Sequence, residues 1–213
     1  PFSRRDARCA LARSLDLAQI PRILGGGEVP AAGWVPPALA PGRGRVALSF
    51  DVAAAKDLAR RGGLAAEHPV ELHYYAKDIH TPVMEWAQGQ WKKNLGLDVR
   101  LVREEGKIYW AHLASSPPAL FLSGTTAWFA HPYSFLSELA SDSAANWGRY
   151  TSRAYDEATA QAHRAATAPR LAHAVADAEK ELLERDCAIV PLYFRNTLML
   201  TAFQLKESLA VSE

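Results

Sequence analysis

Apolar residues follow a helical period before Gly96 and a strand period after it. Val83, Ala87 and Trp91 recur at the spacing of one helix face. Gly96 fits the left-handed position that follows a helix end, and residues 97–103 alternate between apolar and charged side chains. This segment therefore predicts a helix that leads into a sheet.

The same reasoning along the rest of the chain predicts an α/β order. Asp51 and Asp78 are expected to be helix N-caps. Pro21 is expected to bend the helix that Asp16 starts. Residues 28–46 are predicted to form an irregular loop. Helices are predicted near residues 3–14, 16–24, 51–61, 78–95, 106–114, 132–140, 153–166 and 168–186. Strands are predicted near residues 70–76, 97–103, 119–123, 189–194 and 197–203. We expect the strands near 70, 97, 119 and 189 to form one mixed sheet flanked by helices.

Composition excludes several classes of protein. The 213 residues are 49% hydrophobic with a formal charge of +1, so there is no basic excess to bind nucleic acid. No apolar stretch approaches the length of a membrane span. Cys9 and Cys187 are the two cysteines. Both lie in apolar segments, which favours buried free thiols over a disulfide.

No motif of enzyme catalysis is present. The glycines at 25–27 precede prolines and stop a helix, so they do not form a phosphate-binding loop. The seven histidines are scattered and none is paired with a cysteine at metal-ligand spacing. The acidic residues of 177–184 are interpreted as a solvated helix face. The sequence thus predicts no enzyme activity, no metal and no cofactor.

Six short motifs occur in a fixed order along the chain. They are Pro1-Phe2-Ser3 with Arg8-Cys9-Ala10-Leu11, Leu24-Gly25-Gly26-Gly27 with Trp34-Val35-Pro36-Pro37, Asp51 to Lys56, Gln90 to Val99, Asn146 with Arg149-Tyr150, and Asp186 to Tyr193. In this order the chain resembles the third, C-terminal lobe of the oligopeptide- and dipeptide-binding proteins of ABC importers, the family 5 extracellular solute-binding proteins. The resemblance implies a lobe of the type II periplasmic-binding-protein-like fold.

The resemblance covers residues 1–213 as one lobe, and the lobe that would face it is absent from this chain. It implies that a small peptide or peptide-like solute is held between the two lobes and that the closed form docks on a membrane permease. It also implies a periplasmic or extracellular location, associated with the membrane through the transporter. The chain starts at Pro1, which is typical of a processed or cut start, so the location follows from the resemblance alone.

The ligand wall implied by the resemblance departs from the family pattern. The family motif aligns with Gly124 to Leu136, where its tryptophan falls on Thr125 and its amine-binding aspartate falls on Trp128. Basic residues that some members direct at the peptide carboxylate fall on Leu113 and Leu122. The histidine on the carboxylate side is kept as His80. The candidate ligand-binding residues are His80, Leu122, Thr125, Thr126, Trp128 and Phe129.

Trp128 changes the ligand chemistry that this wall can offer. A buried ammonium needs a paired carboxylate, which an indole cannot supply, although it can stack on a flat or apolar group. We expect Thr125, Trp128, Phe129 and His80 to share one partly open face beside the strand end at Ser123. Plain core packing is the alternative for Trp128 and Phe129, and an exposed polar side chain is the alternative for His80.

Two functions from different classes remain open at this point. One is a non-enzymatic solute-capture lobe of an importer. The other is an interaction or sensor module that was derived from such a lobe, either fused to a regulator or left after ligand binding had decayed.

Overall fold

The computed structural model describes residues 2–40, 47–64 and 70–195. Its helices are α1 (Arg5–Arg13), α2 (Ile20–Leu24), α3 (Val52–Gly62), α4 (His80–Leu95), α5 (Gly106–Ser115), α6 (Tyr133–Leu136), α7 (Arg153–Arg164) and α8 (Ala168–Glu179). Its strands are β1 (Val29–Pro30), β2 (Val70–Tyr75), β3 (Val99–Glu104) and β4 (Tyr193–Phe194). Short 3-10 helices span Leu17–Gln19, Pro37–Leu39 and Ser137–Leu139, and a π-helical turn, Lys180–Arg185, continues α8. The strand predicted at 197–203 lies outside the described residues.

Local signals in the sequence correctly identify several helix ends. The Asp51 side chain accepts a hydrogen bond of 2.9 Å from the Ala54 N–H and caps α3. Gly63 and Gly96 end α3 and α4 with φ of 64° and 70°, a left-handed conformation that favours glycine. These ends are set by neighbouring residues alone, so the sequence is sufficient to predict them.

Two predictions about helix starts are wrong. Asp78 does not cap α4, because the His80 N–H bonds to the Lys77 carbonyl at 3.0 Å and this turn places Ile79 at the cap position. Pro21 does not bend a long helix. The segment is instead divided into a 3-10 turn and α2, with Pro21 in the first turn of α2, where a missing N–H costs no intrahelical bond.

The α/β class is confirmed, but the sheet is smaller than expected. β2 and β3 pair in parallel from Val70↔Val99 to Tyr75↔Glu104. The segment predicted as a strand at 119–123 adds one parallel bridge, His73↔Phe121. The strand expected at 189–194 does not join this sheet. It is reduced to β4, which pairs with β1 in a separate antiparallel ladder.

Proline limits that second ladder. Pro30 lies within β1 and Pro191 precedes β4, and neither can donate a backbone hydrogen bond. The pairing therefore covers only two residues on each strand, extended by a bond from the Ala31 N–H to the Leu192 carbonyl at 3.0 Å.

Buried side chains gather in three clusters. The first lies between the β2–β3 sheet, α4 and the end of α1, with Trp91 and Tyr74 among its largest members. The second lies around α7 and α8, with Tyr155 fully buried, and a small third one joins α1 and α3 at Cys9 and Leu58. Glu179 corrects the expectation of a solvated acidic face on α8, because it is 0% exposed and accepts the N–H groups of Trp34 and Val35 at 2.6 and 2.8 Å. The carboxylate thereby holds the loop before Pro36 onto α8.

Cys9 and Cys187 form a disulfide, so the expectation of two free thiols is wrong. Their Cα atoms lie 5.2 Å apart although 178 positions separate them in sequence. The Arg8 guanidinium donates to the Asp186 carbonyl at 2.7 and 3.1 Å, which brings the residue after Asp186 against α1. Because this approach is tertiary, the flanking sequence gives no sign of it.

None of the helices within residues 2–40, 47–64 and 70–195 has both the length and the apolar character needed to cross a bilayer.

Candidate functional site

The loop between residues 123 and 132 holds two large aromatic side chains in solvent. Trp128 is 85% exposed and Phe129 is 53% exposed. The backbone beneath them is fixed, since the Trp128 N–H donates to the Ser134 hydroxyl at 2.8 Å. Core packing is therefore excluded for both side chains, and their exposure needs an explanation at the level of function.

Trp128 and Phe129 line an open groove of about 520 Å³. The other side of the groove is formed by α6 and by the loop that follows it. Its further lining residues are Tyr133, Ser134, Ser137, Glu138, Ala140, Asp142, Ser143, Ala144 and Ala145. The groove thus combines an aromatic rim with two carboxylates, Glu138 and Asp142, and this combination suits a ligand that carries both an apolar and a cationic group.

Glu138 is a candidate site residue that the sequence alone did not indicate. Its half-buried carboxylate accepts a hydrogen bond from the Thr125 hydroxyl. Burial raises the pKa of the Glu138 carboxyl, while Thr125 and Trp128, both hydrogen-bond donors towards it, act in the opposite direction. Within the described residues, no Lys, Arg or His forms an ion pair with Glu138. The groove therefore contains a carboxylate that is held by neutral donors and has no cationic partner in the part of the chain that the structure describes.

A chain of aromatic rings links the sheet to Trp147. The ring centroids of Tyr75 and Trp110 lie 5.3 Å apart, and those of Trp110 and Trp147 lie 6.3 Å apart. Trp110 is 37% exposed, and Trp147 follows the segment that closes the groove at Ala145.

A separate polar cluster lies where α5 packs on the sheet. The Glu104 carboxylate contacts His73 Nδ1 at 2.6 Å and His112 Nδ1 at 3.2 Å. Burial acts to raise the pKa of the Glu104 carboxyl, but the hydrogen bonds from the two histidines hold it below its usual value. The ligand atoms of these three residues all lie within 4.8 Å of one another, so they have the types and spacing that can hold a metal ion.

Comparison with known proteins identifies the family. The family model described as "Bacterial extracellular solute-binding proteins, family 5 Middle" matches residues 1–147, more than half of the chain. The chain belongs to the family 5 bacterial extracellular solute-binding proteins.

Individual family 5 relatives agree with this assignment. The chain is 30% identical over 203 residues to the periplasmic oligopeptide-binding protein OppA of Salmonella typhimurium, a match that covers 91% of this chain and 37% of that protein. The structure of the Escherichia coli murein tripeptide binding protein MppA matches with a TM-score of 0.82 and 27% identity, over 91% of this chain and 40% of that one. This chain therefore spans about two fifths of the length of these relatives. The fold is the type II periplasmic-binding-protein fold of family 5.

One solved family 5 structure has nearly the same extent as this chain. It is described as a peptide-binding protein of a peptide ABC transporter, and it matches with a TM-score of 0.79 and 25% identity. The match covers 91% of this chain and 92% of that one. The region has thus been solved as a chain of similar size.

The structure brings together some of the candidate ligand-binding residues that the family 5 resemblance indicated and places others apart. Thr125 and Trp128 come together at Glu138, and Phe129 joins Trp128 on the groove. Thr126 is exposed beside them. Leu122 is half-buried and tied to the sheet, with its N–H donating to the His73 carbonyl at 2.9 Å.

His80 is buried, which corrects the expectation that it is partly open. Only 6% of the residue is exposed, and its ring packs edge-on against Tyr75 with centroids 4.3 Å apart. His80 Nδ1 lies 3.1 Å from the Tyr75 carbonyl, an acceptor only, so Nδ1 is the donor. Burial chiefly lowers the pKa of His80, and the charges of Lys77 and Arg195 add to this effect. The neutral ring therefore acts here as support for Tyr75.

Proposed function

We propose that this chain, residues 1–213, is one lobe of the substrate-binding protein of an ABC importer. It supplies one wall of the solute site, and a partner lobe outside this chain supplies the other. The open groove of Trp128, Phe129 and Glu138 supports this proposal, because an exposed aromatic surface of this kind marks a site of interaction. The extent of the matching solved chain supports the assignment of the whole sequence to one lobe.

The ligand that fits this groove is a peptide-like solute with a free amine. An ammonium that leaves water needs a carboxylate partner, and Glu138 is a carboxylate that has no cationic partner within residues 2–40, 47–64 and 70–195. Trp128 stands where the family motif places an aspartate, and its side chain influences the Glu138 carboxyl, lowering its pKa against the effect of burial, so the two residues meet at the same point of the groove. The amine anchor has thus moved from position 128 to position 138. The indole face is then free to stack on the ligand or to add a cation–π contact.

Capture of the solute follows from hinge closure of the two lobes, and the closed form docks on the membrane permease. A periplasmic or extracellular location suits the disulfide of Cys9 and Cys187, since such bonds persist in oxidising compartments. No catalytic step is part of this mechanism.

One observation favours the second candidate, an interaction or sensor module. The most exposed large side chain of the groove, Trp128, replaces the carboxylate of the family motif, and an exposed aromatic can contact a protein partner as readily as a solute. The two candidates differ in one respect. Solute capture requires that Glu138 recognise an amine, whereas a protein-contact surface does not.

An NMR titration of the isotope-labelled chain tests the proposal. The probes are a short apolar tripeptide with a free amino terminus and the same tripeptide with an acetylated amino terminus. We expect the free tripeptide to shift the signals of the groove, those of Trp128 and its neighbours above all, and the acetylated one to shift them much less. The ammonium–carboxylate pair explains the difference, because acetylation removes the positive charge.

Two matched variants complete this experiment. Glu138→Gln should abolish the preference for the free amine, whereas Asp142→Asn removes an exposed carboxylate from the same groove and should keep it. The role of Glu138 is wrong if both tripeptides shift the groove signals equally. It is also wrong if Asp142→Asn, and not Glu138→Gln, abolishes the preference for the free amine. Shifts that cluster outside the groove would overturn the site itself.

A further inference from the structure

The fold brings together three side chains that the sequence separates. His73 lies within β2, Glu104 ends β3 and His112 lies on α5. Glu104 is 31 positions from His73 and 8 from His112, which explains why the spacing along the chain gave no indication of a site. Two imidazoles and one carboxylate are the ligand set of many open zinc sites. We propose that His73, Glu104 and His112 bind a divalent transition-metal ion, with Zn²⁺ as its representative.

The distances between the ligand atoms support this assignment. Zinc lies about 2.0–2.1 Å from imidazole nitrogen and carboxylate oxygen, so tetrahedral ligands lie about 3.3 Å from one another. Glu104 is 2.6 Å from His73 Nδ1 and 3.2 Å from His112 Nδ1, and all three groups lie within 4.8 Å. Small side-chain rotations are therefore sufficient to point three lone pairs at one centre.

The second carboxylate contact of His73 gives an independent reason. Its Nδ1 faces Glu104 at 2.6 Å and its Nε2 faces Glu71 at 3.1 Å, while the residue is only 7% exposed. A metal ion on Nδ1 would take the place of the contact with Glu104 on that side and would leave Nε2–H to donate to Glu71. In metal sites a ligand histidine usually donates its other ring N–H to an acceptor such as a carboxylate.

The site has a route for entry and an open position. The side chains of His73 and Glu104 are 9% and 14% exposed, whereas that of His112 is 36% exposed, so an ion can approach from the α5 side. Three protein ligands leave the fourth position of a tetrahedron for water.

The ion would also brace the ligand wall. The His73 carbonyl accepts the Leu122 N–H at 2.9 Å, and Leu122 leads into the loop of Trp128. Metal bound between β2, β3 and α5 would therefore hold the strand on which that loop rests. This inference does not depend on which solute the groove binds.

Zinc titration of the untagged, chelator-treated chain tests the site, by calorimetry and by thermal unfolding. We expect one equivalent of Zn²⁺ to bind and to raise the unfolding temperature. Co²⁺ in its place should give the visible absorption of a low-coordinate site with nitrogen and oxygen ligands. His112→Gln should weaken zinc binding at least 10-fold, as expected for loss of a ligand, and Glu71→Gln should weaken it about 10- to 100-fold through the outer partner.

His173→Gln is the matched control, because His173 also pairs with a carboxylate, that of Asp177 at 3.3 Å, but on an exposed helix face. It should leave zinc affinity unchanged. If the three residues form only a hydrogen-bonded network, the chain will bind no stoichiometric zinc, and the proposal fails. Equal zinc affinity of the original chain and His112→Gln, with both folded by circular dichroism, would also overturn it.

Discussion

Trp91 and Trp128 place the same side chain in opposite environments. Trp91 on α4 is 4% exposed, and its indole N–H donates to the Leu11 carbonyl at 3.2 Å. Trp128 is 85% exposed on a loop whose backbone is fixed by Ser134. The first tryptophan is part of the closed region under the β2–β3 sheet, and the second is part of the open wall around the groove.

The difference shows how stability and binding are divided in this chain. Burial of a large aromatic stabilises the fold by removing apolar area from water. An exposed aromatic on a fixed backbone leaves the same area available to a ligand or a partner lobe. The closed region should therefore respond to mutation in its free energy of unfolding, and the open wall should respond in binding.

The largest effect is expected from removal of the Cys9–Cys187 disulfide, which is buried where α1 packs on α3. The chain-entropy account gives a loss of about 5 kcal/mol for a loop of this length, which spans 178 positions. The double variant Cys9→Ala/Cys187→Ala should show this loss as a lower urea midpoint. A stability within about 0.5 kcal/mol of the original chain, an ordinary surface effect, would mean that the bridge contributes little to the fold.

The two tryptophans provide the direct comparison. Trp91→Ala should cost about 4 kcal/mol, because it leaves a cavity and a carbonyl without its donor. Trp128→Ala should change the free energy of unfolding by less than about 0.5 kcal/mol. Urea denaturation of both variants checks the pair. Similar losses for the two would show that Trp128 is packed in solution and that the wall is not open.

A smaller, pH-dependent effect is expected in the open wall. Burial raises the pKa of Glu138 in the folded state, so folding favours its protonated form, and the carboxyl lowers stability as pH rises through this raised pKa. Glu138→Gln should match the original chain in unfolding temperature below the ordinary carboxyl pKa and exceed it at neutral pH. Asp142→Asn controls for the lost charge. If Glu138→Gln instead lowers the unfolding temperature at neutral pH, the claim that burial of the ionised Glu138 carboxylate costs stability is wrong.

The sequence predicts what neighbouring residues decide. The Asp51 cap, the glycines after α3 and α4, and β2 and β3 were all predictable, since caps and periodicity are local. Asp78 misled the prediction because a hydrogen bond between Lys77 and His80 shifts the start of α4. The pairing of β4 with β1 and the Cys9–Cys187 bond depend on tertiary contacts, so no local pattern reveals them.

The candidate site could be located in part from the sequence. The family motif located the loop of Thr125, Trp128 and Phe129, because a motif fixes position along the chain. It could not reveal Glu138, which lies 13 positions from Thr125 and meets it only in the folded chain. His80 keeps its family position, but its ring packs on Tyr75, and only the structure shows this burial.

Calorimetric titration of the chain with di- to pentapeptides tests the central claim most directly. A single wall cannot enclose a ligand, and much of the area that would be buried between two lobes stays in water. The account therefore predicts dissociation constants well above micromolar. Acetylation of the peptide amine should weaken the affinity further. Submicromolar affinity of the isolated chain would contradict it, because the groove would then be a complete site and no partner lobe would be needed.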